Sequence, residues 1–276
     1  MNAASDSRID VTSWIGSYPF REVPHPDADV LADRVLEREG FTGAWTGHLP
    51  GAFHRDPAAS NTALYRALAP HQQRLNAAPI VRPDWPRWEV TLRAAVQEGA
   101  QSVRAYPAQW GLGPRHPALS ELAIACGETG VALHVTVRFE DLRQRHPLDG
   151  AGDVSAALLR GIARLEGSRC HLVVAGAGRE LIEETHWGLT PEEQGRVWYD
   201  FGWTWGAPEE AFAHLVRTVG PDRLAWGSYW PLRLTQQSRS LVDLLPDDLR
   251  ANAPYRAFAD GARIAGLARQ AAGVSL

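Results

Sequence analysis

The sequence predicts a (β/α)₈ barrel of the TIM-barrel type, a single α/β domain over residues 1–276, and three observations predict it. Eight short apolar runs alternate with amphipathic helical patterns from one end of the chain to the other. A chain of 276 residues is the length such a barrel needs. The first run is not followed by a glycine-rich phosphate fingerprint, which counts against a doubly wound open sheet. "AGAG" at 175–178 is a lone glycine cluster without the acidic residue such a fingerprint requires.

The predicted strands are Ile9–Val11, Gly43–Thr46, Ala78–Arg82, Ser102–Tyr106, Ala132–Val137, His171–Ala175, Val197–Phe201 and Arg223–Gly227. Between them, apolar residues at i, i+3, i+4 spacing predict helices over Ala28–Glu39, Trp88–Glu98, Ala118–Glu128, Val154–Leu165 and Pro208–Val219. Asp27 and Asp153 stand where N-caps belong, and Pro208-Glu209-Glu210 is a helix-start signal. Leu49–Ala59 reads as a long loop over one face, and Ala257–Arg269 as a closing helix.

Composition excludes several classes of function. Hydrophobic residues make up 45% and charged residues 22%, as in ordinary globular proteins, and the net charge of -4 provides no basic surface for nucleic acid or anionic membrane. The two cysteines, Cys126 and Cys170, lack the spacing of a zinc knuckle and read as buried small hydrophobes. No apolar run approaches the length of a membrane span, and MNAASDSRID lacks the charged and apolar regions of a signal peptide. A cytoplasmic protein with a small-molecule partner is the expectation.

In such barrels the site is built at the carboxyl ends of the strands. Those ends carry Thr12 and Trp14, Thr46 and His48, Arg82, Arg104 and Tyr106, Thr136 and Arg138, Gly176 to Gly178, Asp200 with Trp203, and finally Ser228 and Tyr229. The segments "IDVTSWIGSYPFR", "VRAYP", "VTVRFEDLRQRHP", "VWYDFGW" and "RLAWGSYWP", in this order, resemble strand-end signatures of the amidohydrolase-related superfamily, in its branch of small decarboxylase- and lactonase-like barrels. The resemblance covers most of the chain and implies the same barrel, often as a homodimer. Its metal-binding pattern is not kept. Where the family carries a His-x-His pair this chain has Thr12 and Trp14, and where the family ends strand eight in Gly-Ser-Asp it has Tyr229. The family's strand-six histidine is replaced by Ala175-Gly176, and His134 lies earlier in strand five than the family's ligand. Threonine, tryptophan and glycine cannot supply the three or four donors a catalytic zinc needs. No metal and no other cofactor is therefore expected.

Three functional readings remain. In the first, the barrel is a metal-independent hydrolase, or a lyase or isomerase, acting on a small carboxylate-bearing cyclic or aromatic compound. Tyr229 and Tyr106 are then the candidate proton donors, and His134 and Asp200 the candidate bases. Arg104 and Arg138 hold the carboxylate, with His48, Thr12, Ser228, Trp14 and Trp203 lining the pocket. Trp110, Trp205 and Trp230 also lie near strand ends, either walling a pocket or filling one. The second reading is a binding or regulatory barrel that has lost the chemistry. The third keeps a metal through His48, His134 and Asp200. Convergence of Tyr106, Arg138 and Tyr229 on one small volume favours the first reading, whereas a centre filled by Trp14 and Trp230 disfavours it.

Overall fold

The computed structural model describes residues 8–204 and 206–274. Trp205 and the residues before Arg8 lie outside the described residues. Among the described residues, eight parallel strands follow one another: β1 (Ile9–Ile15), β2 (Gly43–His48), β3 (Leu75–Ala77), β4 (Ser102–Ala105), β5 (Ala132–Thr136), β6 (Leu172–Ala175), β7 (Val197–Asp200) and β8 (Leu224–Ala225). β1–β3 form one regular ladder and β4–β8 another.

Backbone hydrogen bonds bridge both seams between the ladders. At the first, Ile80 pairs in parallel with Arg104, and Arg104 N donates to Pro79 O at 2.9 Å. At the second, Val11 N donates to Trp226 O, Tyr229 N to Thr12 O and Trp14 N to Trp230 O, each at 2.8 Å. Each strand thus has a neighbour on both sides, which is the condition for a barrel without edges.

Differences from the sequence reading have local causes. The regular third strand is Leu75–Ala77, ahead of the predicted Ala78–Arg82. That later segment is extended, but Pro79 has no N–H to give the ladder, so pairing there shrinks to a single bridge. The predicted helix over 154–165 is Ala156–Ala163, and its cap is Ser155, whose hydroxyl accepts from Leu158 N. Asp153 instead pairs with Arg138 and Arg145. Over 208–219 a π-helical turn, Pro208–Phe212, precedes the α-helix Ala213–Thr218. Asp27 caps its helix as expected, accepting from Val30 N. The loop after β2 contains a 3₁₀ turn, Leu49–Phe53, and the closing helix runs from Gly261 to Ala272 behind the cap Asp260. Among the described residues, no helix is long and apolar enough to cross a membrane.

The barrel interior is layered. At the end where the strands begin, Val11, Trp45, Val173 and Trp198 pack with Ile264 of the closing helix. The middle layer is polar and buried, and holds Asp10, Thr12, Arg104, His134 and Asp200 with Ser228. Above it, at the carboxyl ends, an aromatic layer of Trp14, Tyr106, Phe139, Trp203 and Tyr229 closes the mouth. Cys126 and Cys170 are buried free thiols.

Candidate functional site

Alternation along β4 and β5 turns Arg104 and His134 into the barrel, and the register shift in β1 between Asp10 and Ser13 brings Thr12 in beside Val11. Arg104 and His134 stand side by side in register, and the His134 side chain meets Thr12 across the interior. His134 Nε2 lies 3.1 Å from Thr12 Oγ1 and 3.5 Å from an Arg104 nitrogen. A guanidinium only donates, so Nε2 is the accepting nitrogen. Burial, and then the charge of Arg104, hold this imidazole well below its usual range and therefore neutral.

The Arg104 guanidinium is the centre of the layer. It is fully buried and donates to the carbonyls of Trp45 at 2.8 Å and Ser13 at 3.1 Å, and it lies 4.8 Å from the Trp14 ring centroid. Gly47 makes room for it, since a Cβ there would fall 2.8 Å from Arg104 Cδ and 3.0 Å from the Trp14 ring. Two buried carboxyls share the interior with this cation. Asp10 accepts from Thr12 N at 2.8 Å, from Ser228 N at 3.0 Å and from the Ser228 hydroxyl. Asp200 accepts from Gly202 N at 3.2 Å, and the absence of a side chain at Gly227 leaves space for its carboxylate. Burial raises Asp10 to about 7 and Asp200 to about 6, in each case against the hydrogen bonds the carboxylate receives. Asp200 Oδ2 and His134 Nδ1 are buried without a hydrogen-bond partner.

The tyrosines are fixed in the aromatic layer. Trp14 Nε1 donates to the Tyr106 hydroxyl at 3.0 Å. Tyr229 sits between Trp14 and Trp203, its ring centroid 4.8 and 4.9 Å from theirs, and its hydroxyl donates to the Arg138 carbonyl over Gly176. The Tyr229 backbone is left-handed, with φ of 61°, a conformation that costs a residue with a bulky side chain about 1–3 kcal/mol. Burial raises both phenols, so both remain protonated at neutral pH. Tyr106, Tyr229 and Trp14 have no exposed surface and Trp203 has 2%.

The structure therefore brings together most of the residues the sequence singled out: Thr12, Arg104, His134 and Asp200 in the polar layer, Trp14, Tyr106, Trp203 and Tyr229 in the aromatic one. It does not bring Tyr106, Arg138 and Tyr229 around one open volume. Arg138 leaves the interior to pair with Asp153 at 2.7 Å, and only its carbonyl meets Tyr229. Ser228 is held by Asp10. His48 lies apart, 2.6 Å from Ser60 Oγ. Asp10 is the interior residue that the strand-end reading missed. An acidic residue inside an otherwise apolar strand is the signal that marks it.

The residues do not fit a divalent metal. The barrel's middle holds a permanent cation, and positions across it are threonine, tryptophan and glycine. Among the described residues, no three His, Cys, Asp or Glu side chains form a ligand group, so His48, His134 and Asp200 are not assembled as one.

Above the aromatic layer is a cavity of about 380 Å³. Loops following five successive strands build it, with Phe20 after β1, Arg55 after β2, Arg82 after β3, Trp110 after β4 and Asp149 after β5. Its position is the place where a barrel of this kind presents a ligand site.

No family model and no curated protein sequence matches the chain. Solved structures do. A structure of amidohydrolase II superposes with a TM-score of 0.66 at 16% identity, over 94% of this chain and 100% of the other. The fold is that of the amidohydrolase barrels. The same fold relates the chain to 5-carboxyvanillate decarboxylase from Novosphingobium aromaticivorans, with TM-score 0.65, 14% identity, and 96% and 99% of the two chains covered. It also relates it to 2,6-dihydroxybenzoate decarboxylase from Rhizobium, with TM-score 0.64, 11% identity, and 97% and 98% covered. The structure of the Novosphingobium enzyme contains manganese. The present amidohydrolase-type barrel has the Arg104 guanidinium and an aromatic cover in its interior.

Proposed function

We propose that this protein binds a small cyclic or aromatic carboxylate at the mouth of the barrel, without a metal ion, and that the polar centre beneath serves the fold and does no chemistry. The observation that carries the proposal is the aromatic layer. Trp14, Tyr106, Trp203 and Tyr229 together cover Arg104, His134 and Asp200, while the open volume at the strand ends lies on the outer side of that layer. The ligand class is supported by the arginines on the rim and by the similar structures, two of which are of decarboxylases named for ring carboxylates.

A second reading is favoured by a specific observation. Asp10 and Asp200 are raised toward neutrality, and Asp200 Oδ2 and His134 Nδ1 lack partners, which is the pattern of groups placed for proton transfer. On that reading the chain is a metal-independent hydrolase, lyase or isomerase, with His134 or Asp200 as base and a tyrosine as acid, and the aromatic layer must open to admit substrate. Lactone hydrolysis and decarboxylation assays of the wild type against His134→Ala and Asp200→Asn separate the two readings. The proposed function predicts no turnover above background in any of the three proteins. Wild-type turnover abolished by both substitutions establishes the second reading instead.

A further inference from the structure

The rim cavity has an uneven chemistry that describes its ligand more narrowly. Its aromatic walls rest on the layer below: Phe53 packs on Phe139 with ring centroids 5.3 Å apart, and Trp110 packs edge-on against Tyr106 at 5.8 Å. Flat walls of this kind select a planar ring.

The charges differ in how far they are already satisfied. Arg82 donates through Nε and an amino nitrogen to the two oxygens of Asp84, both at 2.9 Å, so its charge is largely taken up. Arg55, exposed on the loop after β2, makes no ion pair among the described residues; its guanidinium lies 5.7 Å from the Trp85 ring centroid. Asp149, on the loop after β5, is 8% exposed and, among the described residues, accepts only from Ala151 N at 3.3 Å. A free cation and a carboxylate without a cation thus reach one cavity from loops that leave the barrel three strands apart. Two further polar atoms on its wall, Gln109 Oε1 and Trp110 Nε1, are buried and lack a hydrogen-bond partner in the protein. Buried polar atoms without partners are uncommon and call for one.

We infer that the rim cavity binds a planar ring compound with an anionic group at one end and an O–H or N–H donor at the other, the anion taken by Arg55 and the donor by Asp149. The inference rests on the proposed function for the location of the ligand and adds a two-ended recognition to it. A volume of about 380 Å³ accommodates one or two fused rings with such substituents. Monoanions without a donor leave Asp149 unanswered, and neutral phenols leave Arg55 so.

Calorimetric titration of the full chain with three probes tests this: 6-hydroxy-2-naphthoate, which has both ends, 2-naphthoate, which lacks the donor, and 2-naphthol, which lacks the anion. The expected result is that 6-hydroxy-2-naphthoate binds about tenfold or more tightly than either of the others, one charged hydrogen bond being worth roughly that factor. Arg55→Gln is expected to reduce its affinity to that of 2-naphthol, and Asp149→Asn to that of 2-naphthoate. Arg55 is exposed, and the amide left by Asp149→Asn still accepts from Ala151 N, so neither change threatens the fold. Equal affinity for the three probes, no binding at millimolar concentration, or a ranking untouched by both substitutions overturns the inference. Turnover assays bear on the proposed function alone, and the ranking of probes on the ligand class alone.

Discussion

Arg104→Met is expected to destabilise the protein by about 3–5 kcal/mol, the range found when one member of a buried charged network is removed. The methionine fills the space of the arginine stem but donates to nothing. The Ser13 and Trp45 carbonyls lose a charged donor, and an unsatisfied buried acceptor costs about 1–3 kcal/mol. The charge that offsets Asp10 and Asp200 also disappears. Relief from burying a guanidinium acts in the opposite direction, and the number of its lost partners decides the sign. A domain of this size then melts roughly 10 °C lower. Arg104→Lys falls between, because one ammonium cannot serve carbonyls on two strands and the Trp14 face together. Denaturant titration at pH 7 checks both variants. An Arg104→Met protein as stable as the wild type refutes the structural role of the guanidinium.

The second large effect is a loss of stability with rising pH. Asp10 and Asp200 have folded-state values of about 7 and about 6, raised by burial from the ordinary carboxyl value. In the unfolded chain both ionise near pH 4, so between pH 4 and 7 the folded state holds the extra protons. The contribution of each carboxyl is fully present below pH 4. It then declines by at most about 1.4 kcal/mol per pH unit, until the folded-state value is passed. Asp10→Asn removes the larger of the two contributions and keeps the acceptor for Thr12 N and Ser228 N. The difference in stability between Asp10→Asn and wild type is therefore expected to shift in favour of the variant from pH 4 to pH 7 and to level off above. Urea unfolding of both proteins at four pH values measures it. A difference that stays constant over that range shows that Asp10 is not raised.

The fold was largely legible in the sequence, because a parallel barrel repeats a simple pattern. Apolar runs such as Leu172–Ala175 and Val197–Asp200 stand out between amphipathic helices, and turn residues punctuate them. The third strand departs from the apolar pattern because proline in an extended segment removes a ladder donor without changing that pattern. The polar interior was legible in part, since the two-residue period of a strand turns Arg104 and His134 inward. Whether that interior is open was not. Alternation assigns a side chain to a face, but closure depends on Phe139 and Trp203, which arrive from loops after different strands, and on the left-handed turn at Tyr229. The rim cavity was hidden for the same reason. Arg55, Trp110 and Asp149 lie far apart in the chain and share no period.

The replacement of "Gly-Ser-Asp" by Gly227-Ser228-Tyr229 takes on a definite structural meaning in this setting. Ser228 ties β8 to Asp10, and Tyr229 turns back over Gly176 to cover the centre. A carboxylate at 229 would be exchanged for a plug, while Arg104 supplies a fixed positive charge below it.

Calorimetric titration of the purified chain with zinc and with manganese tests this account most directly. A guanidinium-centred barrel with no assembled ligand group predicts no one-to-one binding at micromolar metal, in the wild type and in Asp200→Asn alike. Stoichiometric binding in the wild type that Asp200→Asn and His134→Ala each abolish would place a metal in the barrel and contradict it.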